Sequence, residues 1–148
     1  MNARTRSILA TLVLVVAIVP LVMRGELFAR HPVGIATQVA AVMLILWARV
    51  TFGRRSFHAA ANPTAGGLVT TGPYRYLRHP IYAAFLLFVW VGIHSQHGPP
   101  SLTALLLAGL ATLMTAVRIQ AEESLVRVMY PEYAAYAAKT RRIIPFVF

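Results

Sequence analysis

The sequence predicts an all-α, polytopic membrane bundle of about four transmembrane helices, followed by short cytoplasmic C-terminal helices. Three observations predict it. Apolar residues make up 58% of the 148 and charged residues only 12%, and the mean hydropathy is +0.66, far from the composition of a soluble domain. The apolar residues are gathered into long runs separated by polar or Gly/Pro-containing stretches. The basic residues bracket those runs instead of forming one stripe, so the net charge of +10 points to an anionic membrane leaflet and not to nucleic acid.

The first run, about Ile8 to Met23, follows Arg4 and Arg6 in the manner of a signal peptide. Pro20-Leu-Val-Met-Arg-Gly lacks a small-x-small cleavage site, so the run is expected to stay as a first helix. A turn containing Glu26 and His31-Pro32 leads to the second run, about Val33 to Val50. The third and fourth runs, about Ile81 to His94 and Leu102 to Val117, fall short of the roughly 20 residues that usually span a bilayer. Interfacial Tyr76, Leu77 and Trp90 can extend them, the bilayer can thin around them, or they can form a re-entrant hairpin; four spans is the expectation. Beyond Arg118 helical periodicity continues to Tyr130, Pro131 opens a further short helix carrying Tyr133 and Tyr136, and Pro145 stops the tail.

All but Arg24 and Arg30 of the 14 Lys+Arg lie at the N-terminus, between Arg49 and Arg78, or from Arg118 onward. The positive-inside rule then puts both termini and the 51–80 loop in the cytoplasm. The expected organisation is a single membrane domain over 1–148: an N-terminal helical hairpin (1–50), a cytoplasmic loop (51–80) and a second hairpin with the C-terminal helices (81–148). The chain has no cysteine, which excludes a thiolate nucleophile, a disulfide framework and a cysteine zinc site. His94 and His97 sit in the Pro-stopped third turn without a nearby carboxylate, so no metal site is expected there.

Two polar islands interrupt the hydrocarbon. In Thr71-Gly-Pro-Tyr-Arg-Tyr-Leu-Arg-His-Pro-Ile-Tyr82, Pro80 suits the first turn of a helix, whose N-terminal N–H groups and partial positive charge favour an anion. Arg75 and Arg78 strengthen that field, and Tyr74, Tyr76 and Tyr82 offer ring faces to a base or cation. Gly66-Gly67 and Gly72-Pro73 let the backbone approach a ligand. The second island is Arg118-Ile-Gln-Ala-Glu-Glu123. Arg118 and Glu122 share one helix face, in an order that supports a helix poorly, at the edge of a span where ionisable groups are functional candidates. Glu123 and Arg127 have the helix-favoured order, and a surface ion pair accounts for them.

An anion dock, aromatic faces and a carboxylate at the inner membrane edge fit S-adenosylmethionine. With no GxGxxG strand, phosphate loop or aspartate, a Rossmann methyltransferase is not supported. From Gly66 to Pro145 the sequence resembles the isoprenylcysteine carboxyl methyltransferase family and its phosphatidylethanolamine N-methyltransferase relatives. The resemblance rests on Leu68-Val-Thr-Thr-Gly-Pro-Tyr74, Arg78-His-Pro-Ile-Tyr82, Arg118-x-x-x-Glu122-Glu123, Leu125, Tyr133-x-x-Tyr136 and Arg142-Ile-Ile-Pro145.

The resemblance implies an integral membrane methyltransferase using S-adenosyl-L-methionine, with S-adenosylhomocysteine as product and a lipophilic or prenylated acceptor. It implies cofactor contacts from Gly66, Gly67, Leu68, Val69, Tyr74, His79, Pro80, Ile81, Tyr82 and Glu122, and catalytic positions at Arg118, facing the acceptor, and Glu122. Gly66-Gly67 stand where the eukaryotic isoprenylcysteine enzymes carry His-Thr, so contacts there run through backbone. Carboxyl O-methylation of an isoprenylcysteine-type group is the first expectation. N- or S-methylation of a phospholipid or other small amphiphile, and a non-catalytic helix bundle, are the alternatives.

Overall fold

The computed structural model describes residues 1–53 and 67–144, and these form a helical bundle. Its order is α1 (Ala3–Met23), α2 (Pro32–Phe52), a 3-10 turn (Gly72–Arg75), α3 (Pro80–His94), α4 (Leu102–Met129) and α5 (Tyr133–Lys139). The ends follow local chemistry. Asn2 caps α1 through Thr5 N and Ser101 caps α4 through Ala104 N, each side chain accepting from an otherwise bare amide. Pro32 and Pro80 start α2 and α3, where a missing N–H costs nothing.

The apolar runs are helices with nearly the expected boundaries. Three of them, α1, α2 and α4, are long and apolar enough to cross a membrane, and α3, at 15 residues, is a shorter apolar helix. This is a polytopic helical membrane bundle. The helical periodicity beyond Arg118 is realised as one helix: α4 continues for 28 residues without a break, carrying Arg118, Glu122 and Glu123 on the same rigid rod as its apolar part. The short C-terminal helix begins at Tyr133, with Glu132 at its cap, so Pro131 lies in the turn before it. Pro145 and Gly66 lie outside the described residues.

Packing pairs α1 with α4 along their length and α2 with α3. Contact between α3 and α4 is sparser. The bundle core sits where Leu21 and Leu27 meet Val89, Ile93, Ala104 and Ala108. Ala84, Ala104 and Ala108 are buried and allow close helix packing, whereas Gly109 is exposed. Outward-facing residues such as Leu12, Val16, Val39, Met43 and Leu106 stay exposed, as a lipid-facing surface requires.

The two ends of the bundle differ. The α1–α2 and α3–α4 turns share one end, the turn end. Here Arg24 holds Glu26 through two nitrogens at 3.2 and 2.9 Å, and that pairing keeps the Glu26 carboxyl below its ordinary range. His97 packs against the ring of His31 at 5.6 Å, while His94 lies against Trp90. Gly92 allows the first turn to approach α3: a Cβ there would overlap the Leu27 carbonyl. The opposite end, the terminal end, holds the start of α1, the end of α2, the 3-10 turn, the start of α3 and the end of α4.

Candidate active site

At the terminal end the first turn of α3 faces the last third of α4. Its main-chain support comes from an unexpected direction. Arg78 N donates to Arg141 O at 2.7 Å, His79 N to Arg142 O at 3.0 Å, and Arg141 N to Tyr76 O at 3.1 Å. Leu77 and Arg141 form an isolated parallel bridge, so residues 141–142 run beside 76–79 like a strap. The segment ahead is held by α2. Gly72 has φ 56° and approaches Thr51 so closely that a Cβ would lie 2.6 Å from its hydroxyl oxygen. Only glycine suits both demands. Tyr74 packs its ring on Phe52 at 5.4 Å and its carbonyl accepts from Tyr136 Oη at 2.7 Å. Burial raises the Tyr74 phenol, and it pushes Tyr136 up to about 12, so the Tyr136 hydroxyl keeps the proton it donates.

Above this platform two carboxylates carry separate networks. Successive residues on a helix point about 100° apart, which sends Glu122 and Glu123 different ways. Glu122 accepts from Tyr82 Oη and from Arg118 Nη2 at 3.3 Å. Arg118 also donates from Nε to Tyr82 Oη at 2.9 Å and from Nη1 to Thr11 Oγ1 of α1. The Arg118 side chain is 10% exposed and Glu122 24%, so the glutamate is the more open partner. The guanidinium carbon stands 5.7 Å from the Tyr82 ring centroid.

Glu123 is the hub of the second network. Its side chain is only 5% exposed and accepts from Arg78 Nε at 3.1 Å, His79 Nε2 at 3.4 Å and Arg142 Nη2 at 3.2 Å. Arg127 reaches it at 3.6 Å from the surface. The Glu123–Arg127 surface pair expected from sequence therefore exists, but it is the least part of what Glu123 does. Arg78 goes on to donate to the carbonyls of Ala137 and Thr140, tying α5 to the platform. His79 joins the two networks, with Nδ1 3.8 Å from Glu122 and Nε2 3.4 Å from Glu123.

A family model for isoprenylcysteine carboxyl methyltransferase matches residues 33–127, a stretch covering α2 to the charged part of α4. The chain belongs to the isoprenylcysteine carboxyl methyltransferase family. Membership in that family supports reading it as a membrane methyltransferase. Two curated proteins are also similar, each 36% identical over 78 residues, or 53% of this chain. One is the cobalt-zinc-cadmium resistance protein CzcN of Cupriavidus metallidurans, covered over 35% of its length. The other is the nickel-cobalt-cadmium resistance protein NccN of Alcaligenes xylosoxydans xylosoxydans, covered over 36%. The alignment thus spans about a third of the curated relatives. No solved structure matches.

Of the residues that the isoprenylcysteine carboxyl methyltransferase resemblance singled out, four come together: His79, Tyr82, Arg118 and Glu122. Pro80 is buried beneath them as the first residue of α3, and Ile81 is half-buried beside it. Leu68 and Val69 are half-buried in irregular chain before the 3-10 turn, Gly67 adopts φ 79° there, and Tyr74 belongs to the platform against Phe52. Thr11, Arg78, Glu123 and Arg142 also meet at this end. For Glu123 a signal existed, since with only four acidic residues in the chain two adjacent ones at a span edge are costly unless partnered.

Proposed function

We propose that the protein is an integral membrane methyltransferase that uses S-adenosylmethionine to methylate a lipophilic carboxylate of the isoprenylcysteine type. The observation that carries this reading is Arg118, a nearly buried guanidinium held by Tyr82 and Glu122 where an apolar span ends. Arginine's planar fork matches a carboxylate bidentately. The distribution of arginines supports assigning this end to the cytoplasm.

The donor set fits S-adenosylmethionine. A part-exposed carboxylate (Glu122) suits its positive groups, the Tyr82 ring suits a base or sulfonium, and the cationic surroundings of Arg78 and Arg142 suit its carboxylate. When bound, it supplies an electrophilic methyl group, transferred in line with cleavage of its carbon–sulfur bond. A carboxylate acceptor attacks with an oxygen lone pair and has no proton to lose, so the chain's residues need only bind and align. Glu122 and Tyr82 hold the donor, His79 keeps Glu122 in place, and Arg118 orients the acceptor oxygen. The sparse contact between α3 and α4 supports lateral entry of the acceptor's apolar part from the bilayer.

A second reading rests on the same guanidinium. A phosphate satisfies it as well as a carboxylate does, which supports a phospholipid whose amine is methylated. The names of the two relatives add a setting to test, and a deletion strain should be compared with its parent under cobalt, zinc and cadmium stress. The decisive measurement is calorimetric binding of S-adenosylhomocysteine to protein in lipid nanodiscs. Wild type should bind saturably, and Glu122→Gln and His79→Ala should each weaken binding about tenfold or more, as loss of a charged hydrogen-bond partner does. Absence of binding by folded wild type would sink the methyltransferase reading.

A further inference from the structure

Thr11 lies in α1, outside the stretch that the family model matches, and its neighbours Leu12, Val13, Val15 and Val16 face outward. Its hydroxyl donates to the Ser7 carbonyl at 2.8 Å. That alone is ordinary for a helical threonine, and Thr37, Thr51, Thr112 and Thr115 bond the carbonyl four residues back in the same way. The Thr11 oxygen then accepts from the charged Nη1 of Arg118, where that of Thr112 accepts from the neutral Nε1 of Trp90. With its own proton committed to Ser7, the oxygen faces the guanidinium as an acceptor.

Among the described residues, partners on three helices hold Arg118, through different nitrogens: Thr11 of α1 on Nη1, Tyr82 of α3 on Nε and Glu122 of α4 on Nη2. The pairing with Glu122 is an i,i+4 contact that an isolated α4 could make. Of these three grips, that of Thr11 comes from outside both polar islands. Partners on separate nitrogens fix the plane of a guanidinium, and Thr11 supplies one on the Nη1 arm.

We propose that Thr11 is a positioning residue for the methyl acceptor, acting through Arg118. It draws one arm of the guanidinium away from Glu122 and so keeps the fork presented to an acceptor carboxylate. This inference rests on the carboxylate reading above. It adds that α1 completes the acceptor side of the site while the cofactor side is built from α3 and α4. Variation at position 11 should therefore change acceptor recognition and leave donor binding alone.

The test uses the full chain in lipid nanodiscs with labelled S-adenosylmethionine and N-acetyl-S-farnesyl-cysteine as acceptor. Thr11→Val removes the oxygen at constant shape, and Thr11→Ser keeps it. Valine should raise KM for the farnesylated acceptor about tenfold, the worth of one hydrogen bond to a charge. It should leave kcat nearly unchanged, as loss of uniform binding does. Serine should restore KM, and S-adenosylhomocysteine affinity should be equal in all three proteins. If valine packs badly, Thr11→Ala repeats the comparison.

An unchanged KM in both oxygen-free variants would overturn the inference, as would a parallel loss of cofactor affinity and stability in the valine and serine proteins, which marks a packing role. Wild type that binds S-adenosylhomocysteine but leaves the farnesylated probe unmethylated overturns the inference and keeps the cofactor assignment. Wild type that binds no S-adenosylhomocysteine overturns both.

Discussion

Both ends of the bundle are polar, and apart from the contacts of Glu26 with Arg24 and Ser101 at the turn end they are built by opposite rules. At the turn end two neutral amides bond almost wholly to main chain. Gln38 accepts from Ala29 N and donates to the carbonyls of Leu27 and Phe88, and Gln96 donates to those of Glu26, Phe28 and Gly92. At the terminal end side chain meets side chain, and four arginines and a histidine converge on Glu122 and Glu123. Amides that satisfy a turn's carbonyls have no reason to let go. Ionised side chains that share partners can exchange one of them for a ligand. What sets the terminal end apart is a cluster of charged side chains that share two carboxylates.

The comparison can be broken at its strongest point by Glu123→Ala. Removing one carboxylate leaves Arg78, His79 and Arg142 clustered without their shared acceptor. Stability should fall by about 3–5 kcal/mol, as when one partner of a buried ion pair is deleted. Unfolding in detergent micelles measures it, and a loss below about 1 kcal/mol would reduce the hub to a surface ion pair.

Gln38→Leu probes the other end. It strips the amide from two carbonyls and an N–H, for an expected loss of about 1–3 kcal/mol. S-adenosylhomocysteine affinity should stay at the wild-type value. A changed affinity would show the two ends to be one coupled system. The smallest effect is expected for Arg127→Ala. Its side chain is 57% exposed, and such pairs contribute about 0.2–1 kcal/mol, so stability should barely move while Glu123 keeps its buried partners.

Much of the fold was legible because its determinants are local. Apolar runs and the helix-starting Pro80 set the helices within a few residues. The Arg118–Glu122 pair was legible for the same reason, being four residues apart on one face. What distance hides is the rest of the cluster. Glu123 finds Arg78 across 45 residues and Arg142 across 19, while its nearby partner, Arg127, is the weakest of them. Thr11 meets Arg118 across 107 residues, and within an apolar helix a lone threonine carries no sign of which way it turns. The length of α4 was legible as well, because helical periodicity runs on past the charged residues that end its membrane-compatible part.

The strap of residues 141–142 against 78–79 has a consequence for timing. A chain made from its N-terminus releases Arg78 and His79 long before Arg142, so the early helices enter the lipid before the strap exists. Until it arrives, the start of α3 lacks the two carbonyls that hold its amides and Glu123 lacks one of its guanidinium partners. Donor binding should therefore appear late in biogenesis, as a single event, and would serve as a clock for completion of the bundle.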